Sequence, residues 1–285
     1  LMDRARVAKR RMKSGIDLLR RDALARRSFG LAMTAMSRQM MRAQEIGGRV
    51  STEPKWRPLQ LGFLLLCLPS LVDPDHEDRD LVDLIWFPTG GGKTEAYLGL
   101  AAIEIFMRRG RPGAGSGGTA VLTRYTLRLL TTQQFQRAAT LVCAMELMRR
   151  DDDRVKKMYP FSIGLWVGNE TTPPTYAKAL ERFTATLKMR EPDNPFQLTN
   201  CPWCGTPIMP AKRSENLRDY GVLATRNSTT LRCPNLVCDF KDELPIRVFD
   251  DAIYDGPPTI LLTPVDQCAR LPSLRGAGRR VVRWG

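Results

Sequence analysis

An apolar run, Asp83-Leu-Ile-Trp-Phe87, enters three consecutive glycines, Gly90, Gly91 and Gly92, and leaves them through Lys93-Thr94-Glu95 into a helix-forming stretch over residues 96–107. Three adjacent residues without Cβ suit neither a strand interior nor a helix interior, so the sequence predicts a strand, a tight turn and a helix in succession. Such a turn aims successive N–H groups at one point, and the helix that follows adds the positive end of its dipole. Phosphate oxygens are the ligand this arrangement suits. Lys93 is then placed to reach β and γ phosphates, Thr94 to hold magnesium through its hydroxyl, and Thr89 and Glu95 to flank the loop. The expected ligand is a magnesium nucleoside triphosphate, ATP, rather than a dinucleotide. Phe87 stands where the general G-x-x-x-x-G-K-[ST] pattern has its first glycine.

Strand and helix signals recur downstream. Stretches at 119–123 and 161–168 read as strands and, with the strand before the glycines, alternate with helical segments, the β-α-β-α-β succession of a parallel, doubly wound sheet. Open parallel sheets gather ligands at the carboxyl ends of their strands. Arg124, Thr126 and Arg128 follow the 119–123 strand and run into a long helical stretch, so they are candidates to grip a nucleic-acid backbone. The alternative for them is helix capping with solvated arginines.

Thirty residues before Gly90 lies Gln60, closing the run Trp56-Arg-Pro-Leu-Gln60. Its amide can both donate to and accept from the edge of adenine, which makes it a candidate reader of the base. The apolar stretch 59–72 that follows is too short to span a bilayer and contains Pro69, so it reads as a buried helix. The basic opening is not followed by an apolar run of signal length, and the expected compartment is the cytoplasm.

The 285 residues carry 44 Lys and Arg against 30 Asp and Glu, a formal charge of +14. Residues 1–50 alone contribute +9. That asymmetry points to a polyanionic partner, with single-stranded DNA the favoured one, or to a solvated helix face. Residues 1–13 read as too polar to pack, trailing into a helix near Ser14, and Phe29, Met33, Met36 and Met40 recur at helical spacing as packing residues.

Two close cysteine pairs, Cys201-Pro-Trp-Cys204-Gly and Cys233-Pro-Asn-Leu-Val-Cys238, are separated by 28 residues. Four thiolates at such spacing converge on one tetrahedral zinc. The second pair has four intervening residues instead of two, and the chain has a single histidine, His76, far from both pairs. Disulfides are the competing expectation. Cys67, Cys143 and Cys268 lie in apolar contexts and read as core.

Taken together, Trp56-Arg-Pro-Leu-Gln60, Phe87-Pro-Thr-Gly-Gly-Gly-Lys-Thr-Glu-Ala-Tyr97, Arg124-Tyr-Thr-Leu-Arg-Leu-Leu130 and the Cys-Pro-Trp-Cys-Gly knuckle resemble the DrmA helicase subunits of the bacterial DISARM anti-phage system, over residues 56 to about 274. Those belong to the superfamily-two helicases, whose phosphate loops commonly take the Pro-Thr-Gly-x-Gly-Lys-Thr form. The resemblance implies a P-loop NTPase with RecA-like sheets, ATP hydrolysis with magnesium, tracking along nucleic acid, and other DISARM subunits as partners. It also implies that Gln60 is the adenine reader, that Arg124 to Arg128 grip the strand, and that Thr263, in Thr259-Ile-Leu-Leu-Thr-Pro264, touches nucleic acid too.

The expected organisation is a basic helical region at 1–55, a RecA-like ATP-binding part at 56–198, an inserted zinc ribbon at 199–240, and a return to the RecA-like part at 241–285. The family's next strand ends in Asp-Glu-x-His, its Walker B element. This chain instead closes on a basic run from Ser273, so it reads as an amino-terminal part that binds ATP and barely hydrolyses it. Val248-Phe249-Asp250-Asp251 can mimic that strand only in reversed order. The competing class is a non-catalytic module in which ATP and zinc stabilise a nucleic-acid or partner-binding surface.

Overall fold

A computed structural model describes residues 2–86, 90–113, 116–125, 132–167 and 172–264. The chain is mixed α/β and divides into two compact units. One comprises Leu1–Met41 with Ser51–Ser116, the other Arg42–Val50 with Gly117 onward.

The first unit is helical. Helices α1 (Met2–Arg21), α2 (Ala23–Ile46), α3 (Pro58–Val72) and α4 (Lys93–Gly110) follow one another, and α3 packs against both α1 and α4. Helix α1 starts at Met2, not near Ser14. Its charged first half is held because Arg11 reaches across to Asp78 at 3.0 Å and Asp83 at 3.6 Å, partners that local polarity does not reveal. Gly15 lets α1 approach the backbone carbonyl of Leu65 in α3, where a Cβ would collide.

Asp22 breaks α1 from α2. Its carboxylate accepts the Ala25 N–H at 2.8 Å, an N-cap for α2, while Arg26 donates to the carbonyls of Leu19 and Arg20 left open by the break. The buried stripe of α2 is Ala25, Ser28, Leu31, Ala32, Ala35, Met36 and Gln39. Of the expected packing set Phe29, Met33, Met36 and Met40, only Met36 is fully buried; the others flank the stripe.

The second unit holds a four-stranded sheet. Strands β1 (Val121–Tyr125), β2 (Ile163–Leu165), β5 (Ile246–Arg247) and β6 (Ile260–Pro264) lie in the order β1-β6-β2-β5, and every pairing is parallel. Among the described strands, β6, the last in sequence, is thus inserted between β1 and β2. Its position explains its composition, since all of β6 is buried, as a central parallel strand covered on both faces must be. Helix α5 (Thr132–Asp151) connects β1 to β2 and packs on β2. Helix α6 (Tyr176–Thr186) packs on a separate antiparallel hairpin, β3 (Val222–Ala224) and β4 (Thr229–Leu231), and α7 (Asp250–Asp255) precedes β6.

The stretch ahead of the glycine loop departs from expectation. Residues 81–86 form no strand, and Val82, Leu84 and Trp86 are 96%, 80% and 87% exposed. A strand's N–H and C=O groups are satisfied only by neighbouring strands, and among the described residues none pairs with this segment. What stands in the structure is therefore a mixed α/β protein with a parallel sheet; among the described residues no strand ties the glycine loop to it. Phe87 and Thr89 lie outside the described residues.

Candidate functional site

In the first unit the glycine loop turns through two left-handed residues, Gly90 (φ 77°) and Gly92 (φ 80°), and Gly92 is the N-cap of α4. Lys93, Thr94 and Glu95 form the opening turn of that helix. Residues 56–60 hold this turn. Arg57 donates from Nη1 to the Gly90 carbonyl at 2.9 Å, and Gln60 donates from Nε2 to the Gly92 carbonyl at 2.9 Å. Gln60 Oε1 in turn accepts the Arg57 N–H at 2.9 Å, which fixes the start of α3. A Cβ on Gly92 would collide with Gln60 Nε2, and one on Gly99 would lie 2.8 Å from the Trp56 ring.

The structure sets the Gln60 side chain against the loop, and only 4% of the residue is exposed. Sequence reasoning missed Arg57 and Trp56. Both stand in the quoted pentapeptide, so the available signal was an arginine before a helix-opening proline and an aromatic facing a helical glycine. Along the same unit, Asp83 accepts from the Cys67 thiol at 3.4 Å, and burial and then the Asp83 charge push that thiol up to about 12.

In the second unit, Arg124 and Thr263 are register partners on neighbouring parallel strands, one residue from the carboxyl ends of β1 and β6. Two residues 139 positions apart are set side by side by the insertion of β6 next to β1. Arg124 is exposed, whereas Thr263 is fully buried and its hydroxyl donates to the Pro264 carbonyl at 3.3 Å. Thr126 and Arg128 lie outside the described residues.

Asp250 and Asp251 open α7 rather than end a long strand. Asp251 accepts the Tyr176 N–H at 3.0 Å and anchors α6, while Asp250 is half-buried beside the indole N–H of Trp166. Burial, opposed by that hydrogen bond, raises the Asp250 carboxyl above its usual range.

The four predicted thiols converge. The sulfurs of Cys201, Cys204, Cys233 and Cys238 all lie within 4.8 Å of one another. Cys201 and Cys238 are 3.9 Å apart and Cys204 and Cys233 are 3.4 Å apart, too far for disulfides. Zinc bonds of about 2.3 Å in a tetrahedron require sulfurs about 3.8 Å apart, so the cluster is built to the right scale. Gly205, at φ 78°, lets the first knuckle fold back, its N–H donating to the Cys201 carbonyl at 2.9 Å.

Proton affinity in the cluster is uneven. The hydrogen bond from Cys201 draws the Cys238 thiol down to about 6, the same bond raises Cys201, and burial pushes Cys233 up to about 12. The wall around the cluster is polar and aromatic. Trp203 donates to Asp239 at 2.7 Å, Arg42 stacks 4.5 Å from the Trp203 ring centre, Thr140 of α5 donates to the Pro202 carbonyl at 2.9 Å, and Arg150 lies over Phe240. Cys67 and Cys143 are buried, and Cys268 lies outside the described residues.

The protein is thus a mixed α/β chain with a parallel sheet, carrying a four-cysteine cluster that can hold a metal ion such as zinc. No family model matches it. It is similar to the DISARM protein DrmA of Bacillus paralicheniformis, at 38% identity over 238 residues, a match that takes in 76% of this chain and 20% of that protein. The resemblance drawn from the motifs therefore holds across most of this sequence, and the chain spans about a fifth of the length of the relative it matches. No helix among the described residues is long and apolar enough to cross a membrane.

Proposed function

We propose that this chain is the ATP-binding, nucleic-acid-contacting part of an ATP-dependent helicase or translocase in DISARM-like phage defence. The observation that carries the reading is the glycine loop, where two left-handed glycines at the start of α4 have their carbonyls drawn off to Arg57 and Gln60. The loop stands at the N-terminus of α4, where the helix dipole favours an anion. In this reading Gly90, Gly91 and Gly92 cradle the phosphates with Thr89, Lys93 neutralises β and γ oxygens, Thr94 and Glu95 order the magnesium, and Gln60 belongs to the same site. Arg124, with Thr126, Arg128 and Thr263, contacts the backbone of single-stranded DNA, and zinc on the four cysteines stiffens the ribbon. Asp250 and Asp251 are not assigned to magnesium, because their carboxylates brace Trp166 and α6. Other DISARM subunits are the partners this reading implies.

The test is calorimetry of magnesium-ATP with the parent chain and Lys93→Ala. A charge-assisted hydrogen bond is worth about 1.5–3 kcal/mol, so the variant is expected to bind about ten- to a hundredfold more weakly. Equal affinities would remove the phosphate-loop assignment.

A further inference from the structure

Helix α1 packs one side and charges the other. Gly15 and Leu18 are buried, Gly15 lies against the Leu65 carbonyl of α3, and Arg11 turns inward to Asp78 and Asp83. At about 100° of turn per residue, Arg6, Lys9, Arg10, Lys13, Arg20 and Arg21 fall in one stripe about 120° wide on the opposite side. All six are exposed. The stripe runs about 22 Å along the helix, and Asp17 is the only acid between Arg6 and Arg21.

These charges are barely neutralised from within. Arg6 pairs with Asp3 at 3.2 Å and Arg20 with Asp17 at 3.0 Å, both exposed pairs within one helix turn, which salt screens and which hold weakly. Among the described residues no carboxylate pairs with Lys9, Arg10, Lys13 or Arg21. A line of like charges favours a polyanion.

The helix also discriminates among polyanions. A basic amphipathic helix binds an anionic bilayer by sinking its apolar face, and that face of α1 is taken by α3. A single strand is held largely by stacking its bases on aromatic side chains, and Met2–Arg21 contains none. A DNA duplex is rigid and carries one negative charge per about 1.7 Å of its axis, so it meets a rigid line of cations without first being ordered. Its major groove, about 12 Å wide, admits one side of a helix, whereas the major groove of duplex RNA is narrow and deep.

We propose that the exposed stripe of α1 is a docking surface for the phosphate backbone of duplex DNA, engaged without regard to sequence. It goes beyond the single-strand contacts assigned to Arg124 and its neighbours, and either site can fail without the other.

The experiment is binding by the full chain across a salt series, followed by fluorescence anisotropy. The ligands are a blunt DNA duplex longer than α1, its RNA counterpart and a DNA single strand of equal length; sedimentation with phosphatidylserine vesicles runs alongside. The variants are Lys9→Gln with Arg10→Gln and Lys13→Gln, Arg20→Gln with Arg21→Gln, and Lys9→Arg with Lys13→Arg. Glutamine has nearly the helix propensity of lysine and arginine, and circular dichroism checks that helix content is kept. Each duplex phosphate contact contributes about 0.9 to the slope of log K against log salt, so the triple variant should flatten it by about 2.7 and the double glutamine variant by about 1.8. Over a rise in salt of about fourfold, the triple variant then loses about fortyfold less affinity than the parent. The arginine variant keeps the parent slope. The single strand and the RNA duplex bind more weakly than the DNA duplex and lose less in the triple variant.

A duplex slope unaltered in both glutamine variants overturns the docking surface. A triple variant that loses vesicle binding but no DNA makes α1 a membrane face and overturns it too, as does one that loses the single strand or the RNA duplex as steeply as the DNA duplex. A parent chain that binds the single strand but no duplex overturns the α1 surface alone. One that binds the duplex through α1 but no single strand overturns the Arg124 contacts alone.

Discussion

The cysteine ribbon and the glycine loop are both tight turns built on glycines, yet they are held in different ways. The ribbon is held from several sides: four thiols lie within 4.8 Å of one another, Trp203 is tied to Asp239, and Thr140 of α5 donates to the Pro202 carbonyl. The loop is held from one side by residues 56–60, while the stretch leading into it, 81–86, lies exposed. A metal cluster carries its own geometry, because four ligands and one ion define a tetrahedron wherever the chain brings them together. A strand of a parallel sheet has no such autonomy, since its geometry comes from the strands on either side.

Removing the metal is the harshest way to break this comparison. Structural zinc contributes apparent free energies of about 10–16 kcal/mol in small zinc modules, so chelation or Cys233→Ser is expected to unfold the ribbon outright. Loss of the near-ultraviolet circular dichroism from Trp203 reports it, and one equivalent of zinc should leave with it. Triphosphate binding by the loop, held by residues of the other unit, should persist. A Trp203 signal unaltered by complete chelation would show that the ribbon stands without metal.

The same contrast explains what could be read in advance. The cysteine spacing located the cluster because ligand spacing is a local property of the chain, whereas the 259–264 strand was marked by the family resemblance, and its full burial as β6 is what a covered central strand shows. The order β1-β6-β2-β5 was not legible, since nothing in an apolar run says which neighbour it will take. Nor was the extent of α1, whose charged opening looked too polar to pack until Arg11 met Asp78 and Asp83 some 70 residues on. Gln60 was picked out for its amide chemistry and its distance from the loop, whereas its attachment to Gly92 depends on α3 and α4 lying together.

A milder test concerns the sheet's carboxyl edge, where the ordering comes from strand pairing alone. Arg124 is exposed beside Thr263, so Arg124→Ala should leave the fold intact and weaken binding of single-stranded DNA. One lost phosphate contact flattens the dependence of log K on log salt by about 0.7 for a single strand. Fluorescence anisotropy across a salt series measures both quantities. An unaltered slope would remove Arg124 from the interface and leave the exposed basic residues of α1 to account for any binding.

The smallest expected effect belongs to Asp250. If the braced carboxylates of α7 are architectural, replacing one by its amide should cost the fold almost nothing, because an asparagine oxygen can still accept from the Trp166 indole. Burial is the main cause of the raised Asp250 pKa, so the ionised form is the one the folded state disfavours. The sign follows. Stability associated with the neutral carboxyl is fully present below its unfolded pKa and declines as pH rises through the folded one. Asp250→Asn should lack that decline, and at neutral pH it should match or slightly exceed the parent, within about 1 kcal/mol. Thermal melts between pH 4 and pH 8 (an interval of about four units around the carboxylate range) would register the difference. Phosphate release with and without single-stranded DNA supplies the other half of the test. A strand-stimulated activity that disappears in Asp250→Asn would make this carboxylate part of the chemistry. It would also move the catalytic edge to β5, where Asp250 follows the strand by three residues.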